Sequence, residues 1–362
     1  MNHNAPHKGS VFEGYYSKFD LPSGAHLALI ICQVPGAKHK PYMLSFTYVP
    51  DTKDATQVYQ KEIWADELHM VTFSKDNAFG LEVPGIGYAR WQADSTTEYS
   101  FEHPDFTFQA KTTTRTPWSP ATETPEALLV HLPLPLHWHV QSLASSCTFD
   151  LQLPSYDLPA PDHSGIATVH QEKNWAQSFP AAHMWLQARS GDRGFCCAGG
   201  QILGLEAFLL GYRSKDLNLD FRPPFATRVA GLSPFMSYST SWEERRFELR
   251  VQSFRQKLTV TATAPKGSFF SLSSPFPEGH RENFLGQSFQ ARFEVKIYES
   301  GWFSPWELIR EDVFEGGSLE FGASGDSTEG DQAVAVACSS QRPTKHRRHN
   351  LEQRRMRCSA GV

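Results

Sequence analysis

FQARFEVKIY, residues 289–298, alternates apolar and polar side chains along its whole length. One face carries Phe289, Ala291, Phe293, Val295 and Ile297, and the other carries Gln290, Arg292, Glu294 and Lys296. A period of two residues is typical of a β-strand with one buried face and one face in water. The stretch therefore predicts a half-buried antiparallel strand.

The same pattern recurs in both halves of the chain. RFELRVQSF (246–254) and KLTVTATA (257–264) repeat the alternation, and HLALIICQV (26–34), YMLSFTYV (42–49) and LASSCTFDLQL (143–153) are also strand-like. Turn residues separate these runs at the short spacing of barrels and sandwiches. With no long amphipathic stretch of helical period before the C-terminal tail, the sequence predicts an all-β protein.

Two proline-rich connectors suggest how the strands are divided. They span residues 116–127 and 153–165, and such segments commonly join separate units. We predict an N-terminal β unit over 1–160, a C-terminal β unit over 161–322, and a disordered basic tail over 323–362.

Composition and charge narrow the functional classes. The 362 residues are 40% hydrophobic and 13% aromatic, enough for one large core or two smaller ones. No apolar run approaches the ~18–20 residues of a membrane span, and the N-terminus lacks a signal-peptide pattern, so we expect a cytoplasmic protein, with at most peripheral membrane contact.

The net charge of −5 is unevenly distributed. From Arg342 onward, seven Lys or Arg face one acid, which leaves about −11 on the preceding body. An acidic body disfavours nucleic-acid binding. The tail is consistent with a nuclear signal or anionic-surface contact, or with a solvated extension.

Several common kinds of site are missing from the sequence. The six cysteines form no C-x-x-C pair, and adjacent Cys196 and Cys197 fit packing in a strand. Phosphate-binding loops, H-E-x-x-H and G-x-S-x-G are also missing, which disfavours nucleotide-dependent and standard hydrolase chemistry.

HWH, residues 137–139, places His137 and His139 on one face of a predicted strand. Paired imidazoles bind metals, and Glu172 is the nearest candidate for a third ligand. Two histidines hydrogen-bonded at a sheet edge or pocket wall are the alternative. We expect no metal.

Tryptophans offer a second indication of a site. In a barrel-like protein they fill the core or line an apolar cavity, and indole faces stabilise cations. The candidates are Trp138, Trp175, Trp185, Trp302 and Trp306.

QEKNWAQSFP (171–180) gathers an acid, a base, an amide and an indole. In a dry aromatic pocket the carboxyl group of Glu172 would stay protonated and deliver a proton to an alkene or quinone oxygen. On a strand, alternation groups Glu172 with Asn174 and turns Lys173 the other way. The alternative places Glu172 and Lys173 in a solvent-exposed turn.

Six stretches together resemble the tocopherol cyclase family in their order along residues 11–322. They are EGYYSKFDLPSGAHLALI (13–30), IWADELHM (63–70), PLHWHVQS (135–142), EKNWAQSFPAAHMWLQ (172–187), CCAGGQI (196–202) and REDVFEGGSLEFG (310–322). The family hallmark is EKNWG followed by FP, W-x-Q and AGG. Here Trp185 and Gln187 match W-x-Q, whereas Ala176 replaces the glycine and His183 stands in an otherwise aromatic or basic segment.

The resemblance implies two lipocalin-like antiparallel β-barrel or sandwich units around an apolar cavity, as in the carotenoid-hydratase-related superfamily. Its plant and cyanobacterial members protonate an alkene of a prenylated quinol, and the phenolic oxygen captures the cation. That scheme needs no cofactor. Because this chain has no transit peptide, a different prenylated or polyketide-derived ligand in a cytosolic setting is expected.

We therefore predict a cofactor-independent cyclase or isomerase acting on an apolar small molecule. The proposed roles are Glu172 as proton donor, His137 or His139 as proton acceptor, and Asn174, Trp175, Trp138, His183, Trp185 and Gln187 as substrate-binding groups. A lipocalin-like lipid carrier without chemistry is the main alternative, and a metal enzyme built on the two histidines is the weaker one.

Overall fold

A computed structural model describes most of the chain. The described residues are 3–52, 54–73, 78–177, 179–180, 182–202, 204–301 and 304–322. The basic tail and Trp302 lie outside them.

The first half of the chain forms one antiparallel sheet of eleven strands, in the order β4-β3-β2-β1-β11-β10-β9-β8-β7-β6-β5. The strands are β1 (Phe12–Asp20), β2 (His26–Gln33), β3 (Tyr42–Val49), β4 (Tyr59–Ala65), β5 (His69–Thr72), β6 (Phe79–Val83), β7 (Gly87–Trp91), β8 (Thr97–His103), β9 (Phe106–Thr112), β10 (Leu136–Gln152) and β11 (Ser164–Ala176).

The second half forms another antiparallel sheet of eleven strands. Nine follow the order β15-β14-β13-β12-β22-β21-β19-β18-β17, while β16 pairs with β14 and β20 with β21. The strands are β12 (Ala182–Ser190), β13 (Arg193–Ile202), β14 (Leu205–Arg213), β15 (Asn218–Phe221), β16 (Thr227–Val229), β17 (Met236–Ser241), β18 (Arg246–Gln252), β19 (Gln256–Thr263), β20 (Phe270–Phe276), β21 (Gly279–Glu299) and β22 (Glu307–Phe321).

The described helices are four short 3₁₀ segments. They are Ala55–Gln57, Ala127–His131, Ala160–Asp162 and Lys266–Ser268. None is long or apolar enough to cross a membrane. The all-β prediction is confirmed.

Each sheet wraps its own apolar core. In the second core Phe293, Val295 and Ile297 of β21 are buried, as the alternation predicted, while Glu294 is exposed. The first core is rich in aromatic rings, such as Phe46 stacked on Phe106 at 4.1 Å between centroids. The chain therefore forms two antiparallel β units, each with a core of its own.

The boundary between the units lies later than the sequence suggested. We expected a division near residue 160 that assigned the EKNW stretch to the C-terminal unit. Strand β11 instead pairs with β1 on one side and β10 on the other, so it belongs to the first sheet. The chain passes to the second sheet between Ala176 and Ala182, because β11 completes the hydrogen bonding of β1.

From residue 167 onward, β11 is buried or half-buried on both faces, which brings a lysine into the first unit's interior. Lys173 is 1% exposed, and its ammonium lies 2.6 Å from a carboxylate oxygen of Glu13. It also donates hydrogen bonds to the carbonyl oxygens of Asn4 and Ala5 and to Nδ1 of His7. The pair thereby fixes the N-terminal segment over this end of the first unit.

Removing one member of this pair should destabilise the fold strongly. We expect Lys173→Met to lower the free energy of unfolding by about 3–5 kcal/mol, because Glu13 would be left buried without a counter-charge. The double variant Glu13→Gln/Lys173→Met should lose less than the two single variants added together. Urea unfolding measures all three, with Lys296→Met, from an exposed ion pair with Glu311, as the control. Additive losses would contradict the coupling.

The same lysine should make stability depend on pH. Burial lowers the pKa of Lys173 from 10.5 to about 8, although Glu13 opposes the shift. Between these values the unfolded chain binds more protons than the folded one, so this contribution to stability rises with pH. The contribution of Lys173 to stability is complete above pH 10.5, and it is lost as the pH falls through 8. The free energy of unfolding, measured at pH 7.5 and 9.5, should rise with pH in the native chain and rise less in Lys173→Met. An equal rise in both proteins would refute the role of Lys173.

Candidate active site

The two faces of β11 separate the EKNW side chains. Glu172 and Asn174 face the second sheet, whereas Lys173 and Trp175 face the interior of the first unit. The predicted grouping of Glu172 with Asn174 is therefore correct. The alternative of a solvent-exposed turn is wrong, because Glu172 and Lys173 lie in a central strand and their side chains are 9% and 0% exposed.

A cavity of about 140 Å³ lies where the outer faces of the two sheets meet. We call it the inter-sheet cavity. Its lining is mainly apolar, with Ile30, Met43, Leu136, Trp138, Phe179, Met184, Trp185, Leu272 and Leu285 among the apolar members. Polar groups reach it from both units, chiefly Tyr16, Glu172, Asn174, His183, Gln287 and Glu320.

Glu172 is held by nitrogen atoms from both units. Its Oε2 lies 3.0 Å from Nε2 of His170 and accepts a 3.1 Å hydrogen bond from the indole N–H of Trp185. His170 is two residues away on the same strand face, and it is 3% exposed. Packing of Trp185 from β12 across the cleft therefore positions the carboxyl group at the cavity wall.

His170 and Glu172 together can store one transferable proton. Nδ1 of His170 lies 3.4 Å from the carbonyl oxygen of Leu143, which only accepts. A proton carried by this pair can sit on either partner, as an imidazolium next to a carboxylate or as an imidazole next to a carboxylic acid. Both arrangements hold the same number of protons, and Glu172 is the member that lines the cavity.

A second histidine–carboxylate pair lines the same cavity from the second sheet. Nε2 of His183 lies 2.8 Å from Oε1 of Glu320, and the amide of Gln287 donates to Oε2 at 2.9 Å. The other ring nitrogen of His183 is buried and has no hydrogen-bond partner among the described residues. This pair has the composition of a proton acceptor.

Tyr16 adds a neutral hydroxyl group to the site. Burial raises its pKa well above 10, and the charges of Glu172 and Glu320 raise it further. The phenol therefore stays protonated and is available as a hydrogen-bond donor. Its ring packs edge-on against Trp185 with centroids 5.1 Å apart.

Glycines allow close packing in the strands that line the cavity. A Cβ at Gly14 would lie 2.8 Å from the amide oxygen of Asn174, and one at Gly200 would lie 2.2 Å from the carbonyl oxygen of Ala182. Neighbouring backbones therefore approach closely at the AGG stretch. Cys196 and Cys197 beside it are buried and free, as expected for packed strand residues.

The two histidines of HWH share a face, as predicted, but it is the opposite one. His137 and His139 pair in register with Trp175 and Lys173, whereas Trp138 pairs with Asn174 and lines the cavity. Glu172 therefore cannot join the two histidines at a metal. Across the described ranges no cluster of three or more His, Cys, Asp or Glu is arranged to hold an ion.

His137 and His139 have structural partners of their own. His137 lies 2.8 Å from Glu126 and stacks on Trp175. Burial lowers the pKa of His139 to about 3, so it is neutral at ordinary pH. Their predicted role as proton acceptors for the Glu172 site is wrong, because the sheet itself separates them from that carboxyl group.

Two predicted substrate-binding residues also lie away from the cavity. Trp175 is enclosed between the rings of His7, 3.9 Å away, and His137, 4.9 Å away. Gln187 is 2% exposed and accepts hydrogen bonds from Lys18 and Ser318 at 3.4 Å each. Of the proposed binding groups, the cavity is lined by Trp138, Asn174, His183 and Trp185.

Four residues of the site were missed in the sequence. The alternation that joined Glu172 to Asn174 extends to His170, so this residue could have been found. Tyr16 is preceded by Gly14 at the same period in EGYYSKFD, which is a weaker signal. Gln287 and Glu320 come from distant strands, and no local pattern marks them.

Comparisons with known proteins bear on the fold. No family model matches the sequence, and no curated protein matches it. A crystal structure of CghA with Sch210972 matches with a TM-score of 0.56 and 11% identity, covering 86% of this chain and 88% of that one. A second CghA structure gives 0.55 and 11%, covering 86% and 87%. Kievitone hydratase from Nectria haematococca gives 0.50 and 8%, covering 89% and 91%.

At these identities the likeness concerns the fold alone. It extends over most of both chains, so the arrangement of two units is shared rather than one unit only. The lipocalin-like architecture implied by the sequence is supported. Chemistry has to be argued from the residues of the cavity.

Gly322 provides a test of the position of His183. A Cβ at Gly322 would lie 2.2 Å from Nδ1 of His183, so we expect Gly322→Ala to lower the free energy of unfolding by about 1–3 kcal/mol through overpacking. In a His183→Ala background the same substitution should cost much less. Thermal unfolding of the four proteins completes the cycle, and an equal cost in both backgrounds would show that the ring does not lie there.

Proposed function

We propose that the protein is a cofactor-independent cyclase or isomerase, similar in chemistry to tocopherol cyclase, acting on an apolar small molecule that carries an alkene and a hydroxyl group. The observation that carries the proposal is the presence of two histidine–carboxylate pairs, His170–Glu172 and His183–Glu320, on opposite walls of one largely apolar cavity. One pair supplies a proton and the other receives one.

The reaction begins with proton transfer from Glu172 to the alkene, which leaves a carbocation on the more substituted carbon. Trp138 and Trp185 line the cavity, and indole faces stabilise positive charge. Apolar walls exclude the water that would otherwise capture the cation.

The hydroxyl oxygen of the substrate then bonds to the cationic carbon, and its proton passes to the His183–Glu320 pair. Tyr16 and Asn174 orient the oxygen by hydrogen bonding. The product is an isomer of the substrate, because the proton gained at carbon balances the proton lost from oxygen. Exchange with solvent returns the proton to the His170–Glu172 pair.

The size of the cavity limits what reacts within it. A space of about 140 Å³ is comparable to the roughly 150 Å³ cavity that admits benzene. One ring or one prenyl unit therefore fills it, so a prenylated quinol or a related polyketide-derived molecule would place only its reacting end inside.

The structural neighbours support this proposal in a limited way. One of the matched structures is of CghA with Sch210972, and another is of a protein named as a hydratase. Hydration of an alkene and cyclisation onto an internal oxygen share the first step, alkene protonation. The burial of the Glu172 side chain also favours chemistry over simple carriage.

Glu172→Gln should lower turnover by about 10² or more, since a general acid contributes 10²–10⁴-fold. Ligand retention should persist because the amide keeps the shape of the side chain. Incubation with prenylated quinols, followed by mass spectrometry, detects a product of unchanged mass and shifted retention. Glu248→Gln, on the exposed face of β18, is the matched control.

In D₂O the product should gain one deuterium at carbon, which marks alkene protonation directly. An isomer formed without that deuterium, or full activity of Glu172→Gln, would exclude Glu172 as the acid. A lipid that co-purifies and is retained unchanged, with no product from any quinol tested, would instead establish a carrier.

A further inference from the structure

A second cavity lies in the same cleft, at the opposite end from the inter-sheet cavity. Along β1, Lys18 and Asp20 follow Tyr16 on the same face, and along β12, Arg189 follows Trp185 on the same face. These further residues line a space of about 660 Å³ between the sheets. We call it the polar cavity.

Lys18 and Gln187 stand between the two cavities. The ammonium of Lys18 donates to Gln187 at 3.4 Å and lies over the ring of Phe289, 5.1 Å from its centroid. Gln187 occupies the position between Trp185 and Arg189 on β12. The cleft is thus divided into an apolar end and a polar end.

Most charges that line the polar cavity are already paired. Lys18 and His26 both bind Oδ1 of Asp20, at 3.1 and 2.8 Å. Arg292 pairs with Glu315, which also lines the cavity, and with Glu294 outside it.

Of the remaining charged side chains, Asp51 is exposed and packs beside Gly24. Arg189 is partly buried, and it makes no hydrogen bond or ion pair with any residue that the structure describes. The charges of Asp192 and Asp20 reach it only at longer range. The guanidinium N–H groups of Arg189 are therefore available to bind a ligand.

Gln290 supplies a second unused donor at the same cavity. Its Nε2 is buried and finds no acceptor among the described residues. A buried amide nitrogen without an acceptor costs free energy, and rotation of the Gln290 side chain toward a ligand oxygen in the cavity would relieve that cost. A guanidinium group pairs with two coplanar oxygen atoms of a carboxylate in a fork.

We propose that the polar cavity binds the carboxylate group of a small organic acid, with Arg189 as the charged partner and Gln290 as an additional donor. This site is separate from the apolar cavity and independent of the proposed reaction. The polar cavity would bind an acidic ligand, whereas the inter-sheet cavity at the apolar end of the cleft would bind a neutral one.

Isothermal titration with benzoate, and with benzamide as its neutral analogue, tests the site. Benzoate should bind the native chain more tightly than benzamide does. Arg189→Met should weaken benzoate binding by roughly 10-fold or more, as expected for hydrogen bonds to a charged group. Arg189→Lys keeps the positive charge but cannot bind both carboxylate oxygens at once. Its benzoate affinity should lie between those of the native chain and Arg189→Met, and this variant keeps the test valid if Arg189→Met does not fold.

Two controls separate this proposal from others. Arg292→Met removes a paired cation from the same cavity and should change benzoate affinity little. Glu172→Gln should leave benzoate affinity unchanged, so failure of the proposed reaction and failure of this site are distinguishable. Absence of benzoate binding, equal binding of benzoate and benzamide, or unchanged affinity in Arg189→Met would each overturn the proposal.

Discussion

The burial of β11 on both faces is the constraint on which the rest of the arrangement depends. From residue 167 to 176 the strand lies between β1 and β10, with a core on one side and a second sheet on the other, and neither face is open to solvent. Its ionisable side chains must therefore be compensated inside the protein. Lys173 is paired with Glu13 in the first unit, and Glu172 is paired with His170 and Trp185 in the cleft.

This constraint explains why the site belongs to both units. The indole N–H of Trp185, on the second sheet, donates a hydrogen bond to Glu172. The carboxyl group is therefore positioned only when the two sheets pack together. The cores of the separate units are filled by aromatic and aliphatic side chains. Room for a ligand remains where the outer faces of the two sheets meet, and Gly14 and Gly200, which have no side chains, are part of its lining.

The sequence correctly predicted those features that depend on the two-residue alternation of side chains along a strand. Alternation predicted the strands, grouped Glu172 with Asn174, and placed His137 and His139 on a common face. It could not say which face of β11 meets a cavity, because both are buried and neither is marked by polarity. Trp175 and the HWH histidines were assigned to the site for that reason. Glu320 reaches His183 from 137 residues away, a contact that only the pairing of β12 with β22 creates.

The two ends of the cleft differ because of what each strand places there. On β1 the inward series runs from Gly14 and Tyr16 to Lys18 and Asp20, and on β12 it ends at Arg189. The same period that makes one end apolar therefore makes the other charged. Lys18 is paired with Asp20, so the charge of its ammonium group is balanced at the division between the two ends. Arg189 has no such partner among the described residues, so its guanidinium keeps donors for the ligand proposed at this end.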